Sequence, residues 1–415
     1  MCEEEENVMK PLTDKMIAEA LEFKKNKIWE TLKPDTLLAL TFADGTVGYI
    51  NVFCPTGQGL PWITGLALFR ADELSSYHFM AHSPKGMDEV EARVQSCLMS
   101  CIWMDFASKD RVPDEYVDAI RQYRMKKGIR ASGKNAFFKI VRYVPQMEPR
   151  VLTDRSDRTH IEEALHFLNW LSRHGSGEGL PLSDGKIPCF KASGRTYEMT
   201  EIDLPPMKEY DFPKVPFHNE VLAHRLKKAG KRGALDCNLV ILPMAVAVEE
   251  DERPYFPWVL LAYSEDGDYT VEPTLYRELD GKIVESLAEE FIKVETVPRE
   301  ICVINHRTQN LLEDFCRKTD IRLVMGKGRD VIEDMSHQFY SYVLGGIPDD
   351  VPDQLDDGTE GEDFQIVIDS LTSSSDDQLR HAPDSMRQAI REQEDELPKS
   401  LRKRLSRLWG WKRQS

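Results

Sequence analysis

The sequence predicts an α+β domain, then an α/β domain of order βββαβαβα, then an acidic segment and a short basic tail. Three observations predict this. Short apolar runs separated by turn residues fill the first half, with three helical patterns among them. Four prolines, Pro205, Pro206, Pro213 and Pro216, then crowd one stretch; proline fixes φ and donates no hydrogen bond, so a stiff boundary belongs there. From Gly345 the apolar pattern stops, and residues 349–396 hold sixteen Asp or Glu against three Arg. Such a segment buries too little apolar area to offset its ordering entropy, so disorder is expected. The boundaries so read are 8–203 for the α+β domain, 204–218 for the linker and 219–344 for the α/β domain. The acidic linker takes 345–396 and the basic amphipathic tail 397–415.

In the first domain a helix is expected from Asp14 to Leu32, capped by Thr13, with Ile17, Ala20, Leu21, Ile28 and Leu32 roughly on one face. LLALTF and TVGYINVF flank Asp44-Gly45, a hairpin signal because glycine tolerates the positive φ such turns need. ITGLALF reads as a third strand and CLMSCIWMDF, Cys97 to Phe106, as a fourth. A helix from Asp114 to Lys127 ends at Gly128. AFFKIVRY is strand-like, and a helix from Asp157 to Arg173 closes at His174-Gly175. IPCFKAS and RTYEMTEI form a last hairpin about Ser193-Gly194.

After the linker, a helix from Asn219 to Ala229 leads into the strand ALDCNLVILPMAVAV. WVLLAYS and YTVEPTLY follow, with the turn Glu265-Asp266-Gly267-Asp268 between them. Then come a helix from Gly281 to Val294, strand ICVIN, a helix from Gln309 to Lys318, strand IRLVM and a helix from Asp330 to Val343. Three strands followed by αβαβα is the order of the ribonuclease-H-like fold.

Composition narrows the function classes. No stretch approaches the roughly 18 apolar residues that span a bilayer, and the chain begins MCEEEEN, acidic where a secretory signal is basic and then apolar. Eight scattered cysteines without a CxxC pair suit a reducing compartment. A cytoplasmic protein is expected. The net charge of −17 argues against bulk binding of nucleic acid or anionic membrane by the whole molecule.

The first half resembles an uncharacterised bacterial domain family in FADGTVGYINVF, in SCLM at Ser96 to Met99, in GKNAFF at Gly133 to Phe138 and in PRVLTD leading into the helix at Ile161. It departs from that family where Phe137-Phe138 replace an expected Trp-Pro. The second half resembles the partner domain, also of unknown function, that often follows it. The carrying residues are RPYFPWVLLAYSEDG at Arg253 to Gly267, VPREICVI at Val297 to Ile304, and IRLVM. The resemblance covers roughly residues 10 to 344 and implies no catalytic residue.

Four constellations could carry chemistry. Nucleases of ribonuclease-H-like fold hold two Mg²⁺ ions with carboxylates on the first strand, after the fourth strand and on the last helix. Asp236 could take the first place, and Asp330, Glu333 and Asp334 stand on the last helix, but the fourth strand ends in Asn305 and His306. An amide brings dipole without charge. The alternative is that Asp236 starts a strand and the helix acids are solvated surface. His78/His82 and Cys97/Cys101 repeat an i, i+4 spacing that two facing helices could turn into a zinc site. On a strand, however, that spacing spans roughly 13 Å, so the metal expectation is none.

Between Ala119 and Met147 stand eight cations, Arg121, Arg124, Lys126, Lys127, Arg130, Lys134, Lys139 and Arg142, and no acid. Tyr123, Phe137, Phe138 and Tyr143 interleave with them, the combination a phosphate backbone with stacked bases requires. The alternative is a solvated helix face beside core aromatics. The tail LPKSLRKRLSRLWGWKRQS sets Leu401, Leu405, Leu408 and Trp409 on one face of a basic helix, which suits a membrane surface, an acidic partner or the neighbouring acidic linker. GIRASG lacks Walker spacing, and no GxSxG, HExxH or kinase set occurs.

The reading that follows is a cytoplasmic binding or interaction protein without enzymatic activity and without a cofactor, a protein partner being favoured. Nucleic acid, and weak membrane contact through the tail, are further partner classes. The alternative is a divergent metal-dependent nuclease or nucleic-acid-binding protein using Asp236, Asp330 and Asp334.

Overall fold

The computed structural model describes residues 12–33, 36–53, 64–82, 87–130, 135–175, 185–206, 210–247, 252–264, 273–326 and 330–344. The acidic segment and the basic tail lie outside them. The chain divides into two compact units: Met1–Pro216 with Arg253–Phe256, and Phe217–Glu252 with Pro257–Ser415.

The described elements of the first unit are, in order, α1 (Asp14–Asn26), β1 (Leu37–Thr41), β2 (Val47–Phe53), β3 (Gly65–Phe69), α2 (Leu74–His82), α3 (Glu89–Cys97), β4 (Cys101–Ala107), α4 (Asp114–Lys127), β5 (Phe137–Val144), β6 (Met147–Val151), α5 (Arg155–His174), β7 (Lys186–Ser193) and β8 (Thr196–Asp203). Thr13 caps α1 by accepting the Met16 N–H at 3.0 Å. The helix stops six residues before the expected Leu32 because Lys27 adopts a left-handed conformation, φ 50°. A 3₁₀ turn over Ile28–Glu30 then brings Trp29 back against Phe23.

The strands form one sheet in the order β6-β5-β4-β3-β2-β1-β7-β8. Neighbours run antiparallel except β1 and β7, which pair in parallel with Ala39 beside Cys189. Both faces are covered, which explains why CIWMDF is apolar on both phases of the strand apart from Asp105. Ile102, Met104 and Phe106 of β4 enter a core that also holds residues of α1, α4 and α5, including Phe23, Tyr116 and Leu165. Cys101 and Trp103 point the other way, into a core with Leu74 and Tyr77 of α2. The strand expected over Cys97 to Phe106 is therefore corrected: Cys97 ends a helix and only Cys101 onward is strand.

Asp105 breaks the apolar run of β4. It is 5% exposed, and its Oδ1 accepts the Trp103 Nε1–H at 2.8 Å and lies 3.7 Å from Lys139 Nζ. Burial pushes its carboxyl above the usual range, against the pull of Lys139. The β1–β2 turn carries the opposite case. Asp44 accepts the backbone and hydroxyl of Thr46 and lies 2.8 Å from His160 Nε2, and these hydrogen bonds hold its carboxyl well below the usual range. Gly45 there takes φ 86°. Gly65 answers a different need: a Cβ on it would sit 1.9 Å from the Met104 carbonyl oxygen.

The second unit contains α6 (Glu220–Lys228), β9 (Ala234–Ile241), β10 (Trp258–Tyr263), β11 (Leu275–Tyr276), α7 (Gly281–Lys293), β12 (Glu300–Val303), α8 (His306–Thr319), β13 (Arg322–Met325) and α9 (Asp330–Val343). Its sheet has the order β11-β10-β9-β12-β13. β9 is central, antiparallel to β10 and parallel to β12, which is parallel to β13. β9 ends at Ile241, earlier than the expected Val248, with Leu242-Pro243 following. α8 starts three residues before the expected Gln309 because Asn305 caps it, accepting the Thr308 N–H at 3.0 Å.

Candidate functional site

The polar residues of the second unit converge where β9, the end of β12 and α9 meet. Side chains alternate along a strand, so Asp236 and Asn238 share one face of β9, roughly 7 Å apart, while Cys237 faces the other way toward Cys316 of α8. On α9 the residues Ile332, Ser336 and Tyr340 follow one another at i, i+4 and i+8, and all are buried. The Tyr340 hydroxyl donates to the Ile241 carbonyl at 2.6 Å, which sets this face of the helix against β9.

A closed chain of neutral groups fills the junction. Asn305 Nδ2 donates to Asn238 Oδ1 at 2.7 Å, and Asn238 Nδ2 donates to Ser336 Oγ at 2.8 Å. Ser336 Oγ in turn donates to the Ile332 carbonyl at 2.6 Å. Asn305 Oδ1 accepts the Thr308 hydroxyl at 2.7 Å as well as the backbone N–H of that residue. β12 pairs with β9 only as far as Val303 with Cys237, so the next backbone groups of β9 need other partners. The first turn of α8 supplies them. Leu239 N–H donates to Thr308 Oγ1 at 2.9 Å, and Arg307 Nε donates to the Leu239 carbonyl at 2.6 Å. The amide oxygen and the amide nitrogen of both Asn238 and Asn305 are thus engaged inside the protein.

The acids proposed as metal ligands do not gather around this junction. Asp236 is buried on the same strand face as Asn238. Glu333 and Asp334 are exposed, because Asp334 lies about 200° around the helix from Ser336. The side chain of Asp330 lies outside the described residues. Among the described residues no group of three or more His, Cys, Asp or Glu could hold a metal ion. His78 stands on α2, and the side chain of His82 is not described. Cys97 and Cys101 are divided between a helix and a strand, and burial pushes the Cys97 thiol up to about 12. The thiols of Cys237 and Cys316 are raised by burial too, the latter to about 12, so they behave as core rather than as nucleophiles.

The structure divides the basic run. Arg124 is buried, donates from Nη2 to the Ala136 carbonyl at 2.6 Å and lies 5.9 Å from the Phe137 ring. Lys126 pairs with Asp14 at 2.8 Å. Arg121 lies over the same Phe137 ring at 5.7 Å while remaining half exposed. Lys127 and Arg130 are exposed, and Lys134 lies outside the described residues. Tyr123, Phe137 and Phe138 are core residues, which corrects their reading as a stacking platform for bases. The exposed cations of α4 and the residues just after it are Arg121, Lys126, Lys127 and Arg130, with Lys126 paired to Asp14 and Arg121 3.9 Å from Asp118, beside Met125 and Ile129, whose side chains are also exposed.

Asn238 and Ser336 were not among the candidates read from sequence. The available signal was an asparagine inside the apolar run CNLVIL, on the same alternation phase as Asp236.

The family described as a domain of unknown function (DUF6930) matches residues 222–340, from within α6 to within α9. No curated protein and no solved structure matches the chain. No described helix is long and apolar enough to cross a membrane.

Proposed function

We propose that the second unit is a ribonuclease-H-like scaffold whose catalytic position has become a structural amide network, and that the protein acts in the cytoplasm by binding rather than by hydrolysis. The scaffold reading is supported by the strand order, in which the first strand is central, the second runs against it and the fourth and fifth run with it. Nucleases of that fold use acids on the first strand, after the fourth and on the last helix. Here Asn238, Asn305 and Ser336 meet at those places, and the single observation that carries the reading is the Asn305–Asn238–Ser336 hydrogen-bond chain. Neutral amides already bonded to one another offer divalent cations neither charge nor free oxygen. The six described cysteines are free thiols, which fits a reducing compartment. The net charge of −17 favours a protein partner over nucleic acid.

The test is thermal melting of the full chain with Mg²⁺ or Mn²⁺, alongside incubation with labelled single- and double-stranded oligonucleotides. An unchanged melting temperature and intact oligonucleotides are expected. Metal-dependent stabilisation together with cleavage that Asp236→Asn abolishes would overturn the proposal. Nucleic-acid binding without cleavage is the second reading, favoured only by Arg121, Lys127 and Arg130. Oligonucleotide affinity that falls with salt and with the triple alanine variant of those residues would establish it.

A further inference from the structure

Helix α6 leaves an apolar side chain in solvent. Leu222, Ala223 and Leu226 are buried, but Val221 is 74% exposed. With Asn219, Leu222 and Arg225 it forms one wall of a groove of about 350 Å³, and Glu289, Ile292 and Lys293 of α7 form the other. That volume stands at the small end of the range for ligand pockets. It suits a few side chains of a docked segment better than an enclosed small molecule.

The charge beside the groove is unbalanced. Arg225, Lys227 and Lys228 are exposed and make no ion pair with any described residue. Glu220, the acid of this helix, is taken by Lys318 of α8 at 2.6 Å. Lys293 is taken by Glu290 of its own helix at 3.2 Å. Glu289 is the carboxylate on the α7 wall, so an acidic occupant finds its cations along α6.

The sequence supplies such an occupant. Within the acidic residues 349–396, Ile366-Val367-Ile368 is the single run of three apolar residues. Phe364, Val367, Ile368 and Leu371 have the i, i+3, i+4, i+7 spacing by which an amphipathic segment enters an apolar groove. Glu362 and Asp363 precede this stripe. The 21 residues from Leu344 to Phe364 start where α9 ends and span at most about 70 Å. That is roughly twice the diameter of a domain of this size, enough to pass around the sheet to α6 and α7. A tether also sets an effective concentration on the order of 1 mM, so a contact too weak to hold a separate protein is occupied within the chain. We propose that residues 362–371 dock in the α6–α7 groove of their own chain, with the apolar stripe over Val221 and Ile292 and the acids toward Arg225, Lys227 and Lys228. A partner protein reaches the groove only by displacing this segment. The inference stands apart from the amide network and does not depend on it.

The test uses fluorescence anisotropy of a labelled peptide of residues 360–373, titrated with two full-length proteins, wild type and the Val367→Asp, Ile368→Asp double variant. In the double variant the chain's own segment no longer fills the groove, so it should bind the peptide at least tenfold more tightly than wild type. Adding Val221→Asp or Arg225→Glu to the double variant should weaken binding at least tenfold. Both positions are exposed, and a cooperative melting curve for each shows that the fold is retained. A peptide carrying Val367→Asp and Ile368→Asp should bind at least tenfold more weakly than the native peptide. Equal affinity for wild type and the double variant would mean that the segment leaves the groove empty in its own chain. Binding indifferent to Val221→Asp and Arg225→Glu would put the peptide elsewhere on the surface. Either result would overturn the proposal, as would no binding to either protein.

Discussion

Asn305 Nδ2 lies 2.7 Å from Asn238 Oδ1, so the residue that caps α8 also holds the central strand of the second sheet. One side chain thereby serves a helix terminus and the part of β9 that β12 no longer pairs with. Removing either asparagine strands the polar groups of the other in a buried place, where an unmade hydrogen bond costs about 1–3 kcal/mol.

Asn238→Ala and Asn305→Ala should each lower unfolding free energy by about 2 kcal/mol, Asn305→Ala adding the loss of a cap worth about 1 kcal/mol. The double variant should lose less than the sum, since the second deletion removes a group already orphaned by the first. Urea denaturation of the four proteins measures the coupling; strict additivity would show the two residues acting separately.

Asp44 and Asp105 should give opposite pH slopes. The Asp44 carboxyl is lowered in the folded state, so its contribution is present above the usual aspartate value of about 4 and disappears as pH falls below it. Asp44→Asn should therefore destabilise near neutral pH and matter least in acid.

The Asp105 carboxyl is raised, so the folded state binds the proton more tightly than the unfolded chain. Its contribution declines as pH rises from about 4 through the folded value. Denaturation of wild type and Asp105→Asn across pH 4 to 8 should show wild type losing ground to the variant as pH increases. A stability of wild type that rises relative to the variant with increasing pH would contradict this.

Gly65→Ala places a methyl group 1.9 Å from the Met104 carbonyl, a backbone atom that can yield only by separating β3 from β4. A loss of about 2 kcal/mol or more is expected, as for overpacked cores. Gly45→Ala, which has open space but a left-handed backbone, should cost only about 1 kcal/mol. Chemical denaturation of the two variants gives the comparison.

Within the basic run, Arg124→Ala should cost about 2 kcal/mol because it leaves the Ala136 carbonyl without its charged donor. Lys127→Ala and Arg130→Ala, at exposed positions, should stay within about 0.5 kcal/mol of wild type. Equal losses at all three would mean the run acts as one structural unit.

Features written in neighbouring residues were legible in the sequence. The hairpins about Asp44-Gly45 and Ser193-Gly194 form where glycine permits φ of 86° and 64°, and Thr13 and Gly128 close their helices as their chemistry requires. The early end of α1 was hidden because Lys27, not glycine, adopts the left-handed cap. Cys97 to Phe106 misled because a helix end and a buried strand can both be apolar, and short apolar runs carry no decisive period. At the candidate site Asn305 drew attention as a departure from the nuclease pattern. Ser336 did not, since its role depends on which face of α9 meets β9, a property set by packing between distant segments.

The parallel pairing of β1 with β7 has a consequence for how the first unit is made. Every other neighbouring pair in that sheet is joined by chain that lies between the two strands in order, whereas Leu37–Thr41 waits for Lys186–Ser193, which leaves the ribosome much later. Until then β1 is the exposed margin of an incomplete sheet, with Leu38, Ala39 and Leu40 destined for complete burial. Closure of this long loop should govern the folding rate, and a ribosome-bound fragment ending before residue 186 should engage chaperones that one ending after residue 216 does not.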